Sequence, residues 1–385
     1  MKGISRHILV VAAIAMLAVA CDKNMINSPE SDVITINAEV DNTKALLDQS
    51  SFVKEGNKIM VYDFFTPDNS SVPQKYIGTK AKRTASSVWK LVDSEDNPLT
   101  YYWTLNGTHK FFSWLALDTG TPTANTPENF FGQNFKFNES TYELTIPQKA
   151  ILGTTPQFDF LYSNIVTKEI GISDLSAVNL EFKHLFTAFG IGVENKMERE
   201  SITIEEFRIF GLYNSSSAKI KFNGNMPAVT YGTYSKSYGD DAYCVFKELE
   251  QGAAYTIGPK SKVADIFNGA SSVEQYSLIW PQKASQTHSN KEPVESEGQI
   301  QYPDDWLMYL KYTSGGATVE RYVNFPEIAW EAGKKYHFDI RFSEKYLDIT
   351  FNVSPWDYQT QTVDYSSETV VVLHEHRLEW RDDTC

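Results

Sequence analysis

Over residues 321–356 the chain alternates apolar and polar residues with a period of two, a pattern that a helix has no use for. Tyr336, Phe338, Ile340 and Phe342 fall on one face of one run, and Leu347, Ile349, Phe351 and Val353 on one face of the next. Ala332-Gly333-Lys334 supplies the turn into this hairpin, which would close a sandwich. Upstream the same texture recurs in shorter runs: VWKLV at Trp89, YYWTL at 101–105, HKFFSWLAL at 109–117 and YELTI at 142–146. Between them lie DNSSVP, DSEDNP, LNGT and TGTPTANTPENFFG, all loop compositions. The run VNLEFKHLFTAFGIGVEN continues the pattern with Leu180, Phe182, His184, Phe186, Ala188 and Gly190 in alternation, and no long stretch has helical periodicity. Repeated short strands at this spacing specify all-β sandwich or barrel domains.

The N-terminus carries Lys2 and Arg6, an apolar run over residues 8–20 and then Cys21, the layout of a bacterial export signal. Leu17-Ala18-Val19-Ala20-Cys21 resembles a lipobox, with leucine four residues before the cysteine rather than three. Cleavage there would make Cys21 the first residue, acylated by a diacylglycerol; the alternative is an ordinary signal peptide with a coincidental cysteine. Removing 20 residues, Lys2 and Arg6 among them, takes the net charge from −14 to −16. So acidic a chain argues against nucleic acid as a partner. Its length exceeds one ordinary core, so two domains are expected, 33–175 and 176–356. They follow a signal peptide over 1–20 and a polar tether over 21–32, and precede a C-terminal extension over 357–385. Cys244 and Cys385 would be the remaining thiols, and whether they pair is open.

The first strand is the stretch with functional promise. In VITINAEV, Ile34, Ile36, Ala38 and Val40 alternate with Val33, Thr35, Asn37 and Glu39. A polar segment carrying Lys44 follows, and then the second β-type run, KIMVYDFF. A terminal strand followed by a basic residue can be cut away as a sacrificial edge, uncovering a groove and a row of unpaired backbone groups for another chain's strand. The plainer reading is a first sandwich strand followed by a solvated loop.

Catalytic signatures are missing from the sequence: no HExxH, no GxSxG and no phosphate-cradling glycine loop. His374 and His376 are the one close histidine pair and lack a ligand cluster beside them, so neither a metal nor another cofactor is expected, beyond the lipid on Cys21. Tyr101, Tyr102 and Trp103 stand together, which admits sugar stacking, although alternate members of such a run also simply face a core.

Taken in order, the lipobox at Cys21, INAEVDNTKALL, YYWTLNGTHKFFSWLA, DFLYS, VNLEFKHLFTAFGIGV, WPQK, and WEAGKKYHFDIRF followed by NVSPW resemble the fimbrillin family, lipoproteins that build pili. The resemblance implies two transthyretin-like Greek-key β-sandwich domains in tandem, delivered to the outer membrane and cell surface. In the family a trypsin-like protease cuts after a basic residue, usually arginine; Lys44 is the matching position here. The cut would remove the strand bearing Ile34, Ile36, Ala38 and Val40, and the gap would take a strand from the next subunit. Val370, Val371, Val372 and Leu373 are the donor candidates, or else an ordinary edge strand. Partners would be other pilus subunits, a host or bacterial surface ligand such as a glycan, and the membrane through the lipid. The competing expectation is a non-polymerising surface lipoprotein that binds glycans.

Overall fold

A computed structural model of the chain describes residues 32–40, 52–86, 88–116, 126–151, 158–171, 175–209, 212–213, 215–235, 244–245, 255–263, 277–283, 294–296, 299–301, 307–324, 329–343 and 347–355. The first half contains β1 (Ile36–Val40), β2 (Lys58–Pro67), β3 (Gln74–Arg83), β4 (Trp89–Val92) and β5 (Gly107–Leu115). A short helix, α1 (Pro127–Phe131), precedes β6 (Lys136–Asn138), β7 (Glu143–Ala150), β8 (Leu161–Ser163) and β9 (Val166–Ile170). Next come β10 (Val178–His184), β11 (Thr187–Asn195), β12 (Ile202–Ile209), β13 (Ser215–Lys221) and β14 (Ala228–Tyr231). Short strands follow: β15 (Cys244–Val245), β16 (Tyr255–Ile257), β17 (Ser261–Val263), β18 (Ser277–Ile279), β19 (Gln282–Lys283), β20 (Val294–Ser296) and β21 (Gln299–Gln301). The last described strands are β22 (Leu307–Ser314), β23 (Ala317–Asn324), β24 (Ala329–Trp330), β25 (Lys334–Phe342) and β26 (Leu347–Pro355). The fold is all-β and sandwich-like, as the alternation requires.

Two apolar cores organise these strands. An eight-stranded sheet runs β2-β3-β4-β1-β10-β8-β5-β9, and pairing of β2 with β5 brings it back on itself. The four-stranded sheet β14-β13-β7-β6 contributes Leu144, Ile146, Ala218 and Ile220 to the core of that first sheet. The second core lies between β17-β11-β25-β26 and β15-β12-β22-β23, with Ile191, Val193, Phe338 and Ile340 from one sheet meeting Ile204, Phe207 and Leu310 from the other. Hydrogen bonding crosses residue 175: β10 joins the first sheet, and β13 pairs with β7. The long run through 195 is two strands, because the chain bends at Leu185 and Phe186, and β11 then passes from the first core at Ala188 to the second at Phe189.

Local chemistry accounts for the departures from the sequence reading. YYWTL at 101–105 is not a regular strand: it keeps a single bridge, Tyr102 with Val33. Within TGTPTANTPENFFG, Thr126 caps α1 by accepting from the Asn129 amide at 3.2 Å, and Pro127 takes the position where no amide hydrogen is needed. Five residues are too few for helical periodicity to register.

Candidate functional site

β1 and the two residues before it present Ile34, Ile36, Ala38 and Val40 to the first core, each under a tenth exposed, while Thr35, Asn37 and Glu39 face solvent. The strand is not an edge. Along its whole length it runs parallel to β10, with Ile36 opposite Val178 and Val40 opposite Phe182. Asn37 Nδ2 donates to Asn179 Oδ1 at 2.9 Å on the outer face, and the Val178 amide donates to the Thr35 carbonyl at 2.9 Å. Alternation in a sequence reports which face of a strand is buried; it carries no information on whether the strand's edges are paired.

Among the described residues the other side of β1 is held less regularly. β1 and β4 share one residue pair, Ile36 with Trp89. Before it, the Ile34 amide donates to the Tyr101 carbonyl at 2.9 Å and the Trp103 amide to the Asp32 carbonyl at 2.8 Å. After it, a side chain takes over from backbone: Trp89 Nε1 donates to the Ala38 carbonyl at 3.2 Å. The indole is packed by Phe52 at 5.3 Å between ring centres, with the Arg83 guanidinium over it at 5.6 Å, and Phe52 also meets Phe182 at 5.0 Å. Val40 and Phe52, both buried, thus anchor the two ends of the connection at 41–51.

Two buried His–Asp pairs stand behind the strand's neighbours. His109 Nδ1 lies 2.6 Å from Asp63 Oδ2, both side chains fully buried, and His109 Nε2 lies 3.2 Å from the Thr104 carbonyl. A carbonyl only accepts, which places a hydrogen on Nε2. Burial pushes the Asp63 carboxyl above its ordinary 3.8, against the opposing pull of His109. Trp103, Tyr76 and Phe111 ring the imidazole, and Tyr76 Oη donates to the Tyr102 carbonyl at 2.7 Å. The segment that flanks the start of β1 is therefore fixed from β3 and β5. At the end of β10, His184 Nδ1 lies 3.0 Å from each Asp159 carboxylate oxygen.

None of these supports was singled out in the sequence. Asp63 and His109 sit 46 residues apart and meet across paired strands, and Trp89 reads as one more strand residue. Of the aromatic trio, Trp103 is buried and Tyr101 half-buried, leaving Tyr102 exposed. Cys21, Lys44, Val370, Val371, Val372, Leu373, His374, His376 and Cys385 lie outside the described residues. Among the described residues no group of acidic, histidine and cysteine side chains is placed to hold a metal, and no helix is long and apolar enough to cross a membrane.

A family model for fimbrillin-like proteins matches residues 43–356, beginning three residues beyond Val40. The chain belongs to the fimbrillin-like family. Solved structures with a similar chain course include a candidate cell adhesion protein from Bacteroides ovatus, 13% identical with a TM-score of 0.47, covering 85% of this chain and 98% of that one. A fimbrial protein from Bacteroides vulgatus is 12% identical with a TM-score of 0.41, over 84% and 99% of the two chains. A fimbrial assembly protein from Parabacteroides distasonis is 11% identical with a TM-score of 0.36, over 84% and 98%. Comparison with curated proteins gives no match. Membership of the fimbrillin-like family supports a pilus or adhesion subunit at the cell surface, in a structural rather than a catalytic role.

Proposed function

We propose that this fimbrillin-like chain is a structural or adhesive pilus subunit, exported to the outer membrane as a lipoprotein acylated at Cys21 and assembled by strand exchange. A cut after Lys44 releases the lipid together with β1, and the vacated slot takes a strand from a neighbouring subunit. The run Val370, Val371, Val372 and Leu373 is the segment offered in return. A host or bacterial surface ligand, a glycan among the candidates, is then met by the assembled fibre.

The observation that carries this reading is the lopsided hold on β1. One side is a continuous parallel ladder; on the other, among the described residues, the strand shares one register pair with β4, preceded by irregular backbone bonds to 101–103 and followed by an indole hydrogen bond. Burial of Ile34, Ile36 and Val40 contributes about 5–9 kcal/mol at roughly 1.5–3 kcal/mol each. Ordering seven residues costs about 7–14 kcal/mol at roughly 1–2 kcal/mol each. The strand thus depends on its covalent connection, which presents it at an effective concentration in the millimolar range; a cut within 41–51 removes that advantage. A replacement strand that makes the same contacts from a subunit held nearby restores it.

Limited digestion of the purified full chain with a trypsin-like protease tests the proposal. The expected result is one early cut after Lys44, loss of the N-terminal fragment, and multimers whose fraction rises with protein concentration. A chain that is cut at Lys44 and stays monomeric at every concentration overturns strand exchange.

A further inference from the structure

We infer that the end of the first core at which β1 begins is a docking face for a second copy of this chain. The donating subunit feeds its strand in beside Tyr102, parallel to β10, and rests its own folded body on Val72, Tyr102 and Leu105. This rests on the strand-exchange reading above. Five large apolar side chains stand exposed among the described residues: Val72, Val88, Tyr102, Leu105 and Met226. Tyr102 and Leu105 share one segment, and Val72 lies on the turn between β2 and β3, tied to that segment by the Asp68 amide donating to the Asn106 carbonyl at 3.0 Å. Met226 is on the turn between β13 and β14, which Lys110 Nζ of β5 holds by donating to the Asn223 carbonyl at 3.1 Å. Val88 stands apart, on the turn between β3 and β4 at the opposite end of β3. A single exposed apolar side chain needs no explanation, whereas several on joined segments mark an interaction surface.

The direction of β1 decides which end of its slot meets the neighbour. β1 runs parallel to β10, from Ile36 opposite Val178 to Val40 opposite Phe182, and the chain enters it beside the exposed segment. Val33 bridges Tyr102, and the Ile34 amide donates to the Tyr101 carbonyl at 2.9 Å. A donated strand that takes over this ladder in the same direction enters at the same point. In the donor, fourteen residues, 356–369, separate Pro355 at the end of β26 from Val370. That length reaches about 50 Å at roughly 3.3–3.6 Å per residue, so the donor's second core is held within that distance of Tyr102. The face itself is pre-ordered: Tyr76 Oη donates to the Tyr102 carbonyl at 2.7 Å, and His109 Nε2 lies 3.2 Å from the Thr104 carbonyl. A partner that covers it therefore has little backbone left to order. The charged groups that these contacts place beside the face balance, Asp68, Glu139 and Glu169 against Lys75, Lys110 and Lys168, with Lys75 paired to Glu139 at 2.6 Å. There is no excess of cations of the kind that draws an apolar face to anionic lipid, which favours a protein partner.

The test separates the docking face from the slot. Full chain carrying Val72→Ser, Tyr102→Ser and Leu105→Ser together is cut after Lys44 and freed of its N-terminal fragment, beside unsubstituted chain and a Val88→Ser control, and the concentration at which multimers form is read by sedimentation. The triple variant is expected to need at least about tenfold more protein, and the control to match the unsubstituted chain. A labelled peptide of residues 366–376, which brings a strand but no folded body, is expected to bind all three proteins within about twofold, and that equality also shows that the exposed substitutions leave the first core folded. Multimers of the triple variant that form at the unsubstituted concentration overturn the inference; loss in that variant of binding to phosphatidylethanolamine–phosphatidylglycerol vesicles, or to an oligosaccharide array, then assigns the face to membrane or glycan. A defect in Val88→Ser as large as that of the triple variant places the donor at the opposite end and overturns it too, as does an equal loss of peptide binding in the triple variant. If the unsubstituted cut chain forms no multimers at any concentration, it is strand exchange that fails, and this docking face with it.

Discussion

Replacing Ile36 by alanine probes the site at the one residue where β1 is paired on both sides. Ile36 is 2% exposed, opposite Val178 on β10 and Trp89 on β4. The substitution deletes three carbons, about 2.4 kcal/mol at roughly 0.8 kcal/mol per buried methylene, and the unfilled space beside Trp89 and the β10 side chains raises the expected loss into the range of about 2–5 kcal/mol. Asn37→Ala is the internal control, since Asn37 is exposed and its bond to Asn179 is worth about 0.5–1.5 kcal/mol at most. Urea denaturation of the full chain, followed by tryptophan fluorescence, reports both variants on one scale. In a chain cut after Lys44, Ile36→Ala should also speed departure of the N-terminal fragment, seen as an earlier loss on size exclusion. A cost below about 1 kcal/mol, or one no larger than that of Asn37→Ala, would refute the claim that β1 is an integral part of the first core.

Other substitutions follow from the same contacts. Asp63→Ala should cost about 3–5 kcal/mol in urea denaturation, because it leaves His109 buried without its carboxylate, and it should raise amide exchange at 101–104. Because burial raises the Asp63 carboxyl above 3.8, the folded state keeps a proton that the unfolded state gives up. The Asp63 contribution to stability then falls as pH rises above 3.8, opposite in sign to the contributions of Asp93, Asp96 and Glu143, whose partners hold them below their ordinary values, and Asp63→Asn should remove that falling component. At the alkaline end, burial pushes the Tyr62 phenol up to about 12 and the Tyr231 phenol higher still, so the folded chain stays un-ionised where the unfolded chain ionises near 10. Unfolding should accordingly become easier from pH 10 toward 12, with Tyr62→Phe reducing the slope in a denaturation series. Gly107→Ala would bring a methyl to 2.5 Å from both the Phe65 ring and the Thr66 carbonyl, and a drop of several degrees in the thermal midpoint is the expected outcome.

The sequence reports strand faces well and strand neighbours poorly. Ile34, Ile36, Ala38 and Val40 could be read as one buried face because their signal is local, a repeat of two over eight residues. That β1 lies between β10 and β4 was not legible, since Val178 is brought beside it only after the intervening strands have formed. The same limit hid the β7–β13 pairing and the Asp63–His109 contact. A tryptophan used as a hydrogen-bond donor to a neighbouring strand has no sequence mark that separates Trp89 from a tryptophan serving only as core. Conversely, the hairpin of β25 and β26 was visible, because its partners are adjacent in the chain and the entry into β25 is marked by a turn at Gly333 with φ of 68°.

The first residue of the protein in assembled surface material tests the central claim most directly. Fibres sheared from cells and sequenced from the N-terminus should begin at Ala45, with the acylated fragment bearing Cys21 found apart from them. Assembled material whose subunits all still begin at acylated Cys21, with β1 in place, would contradict it.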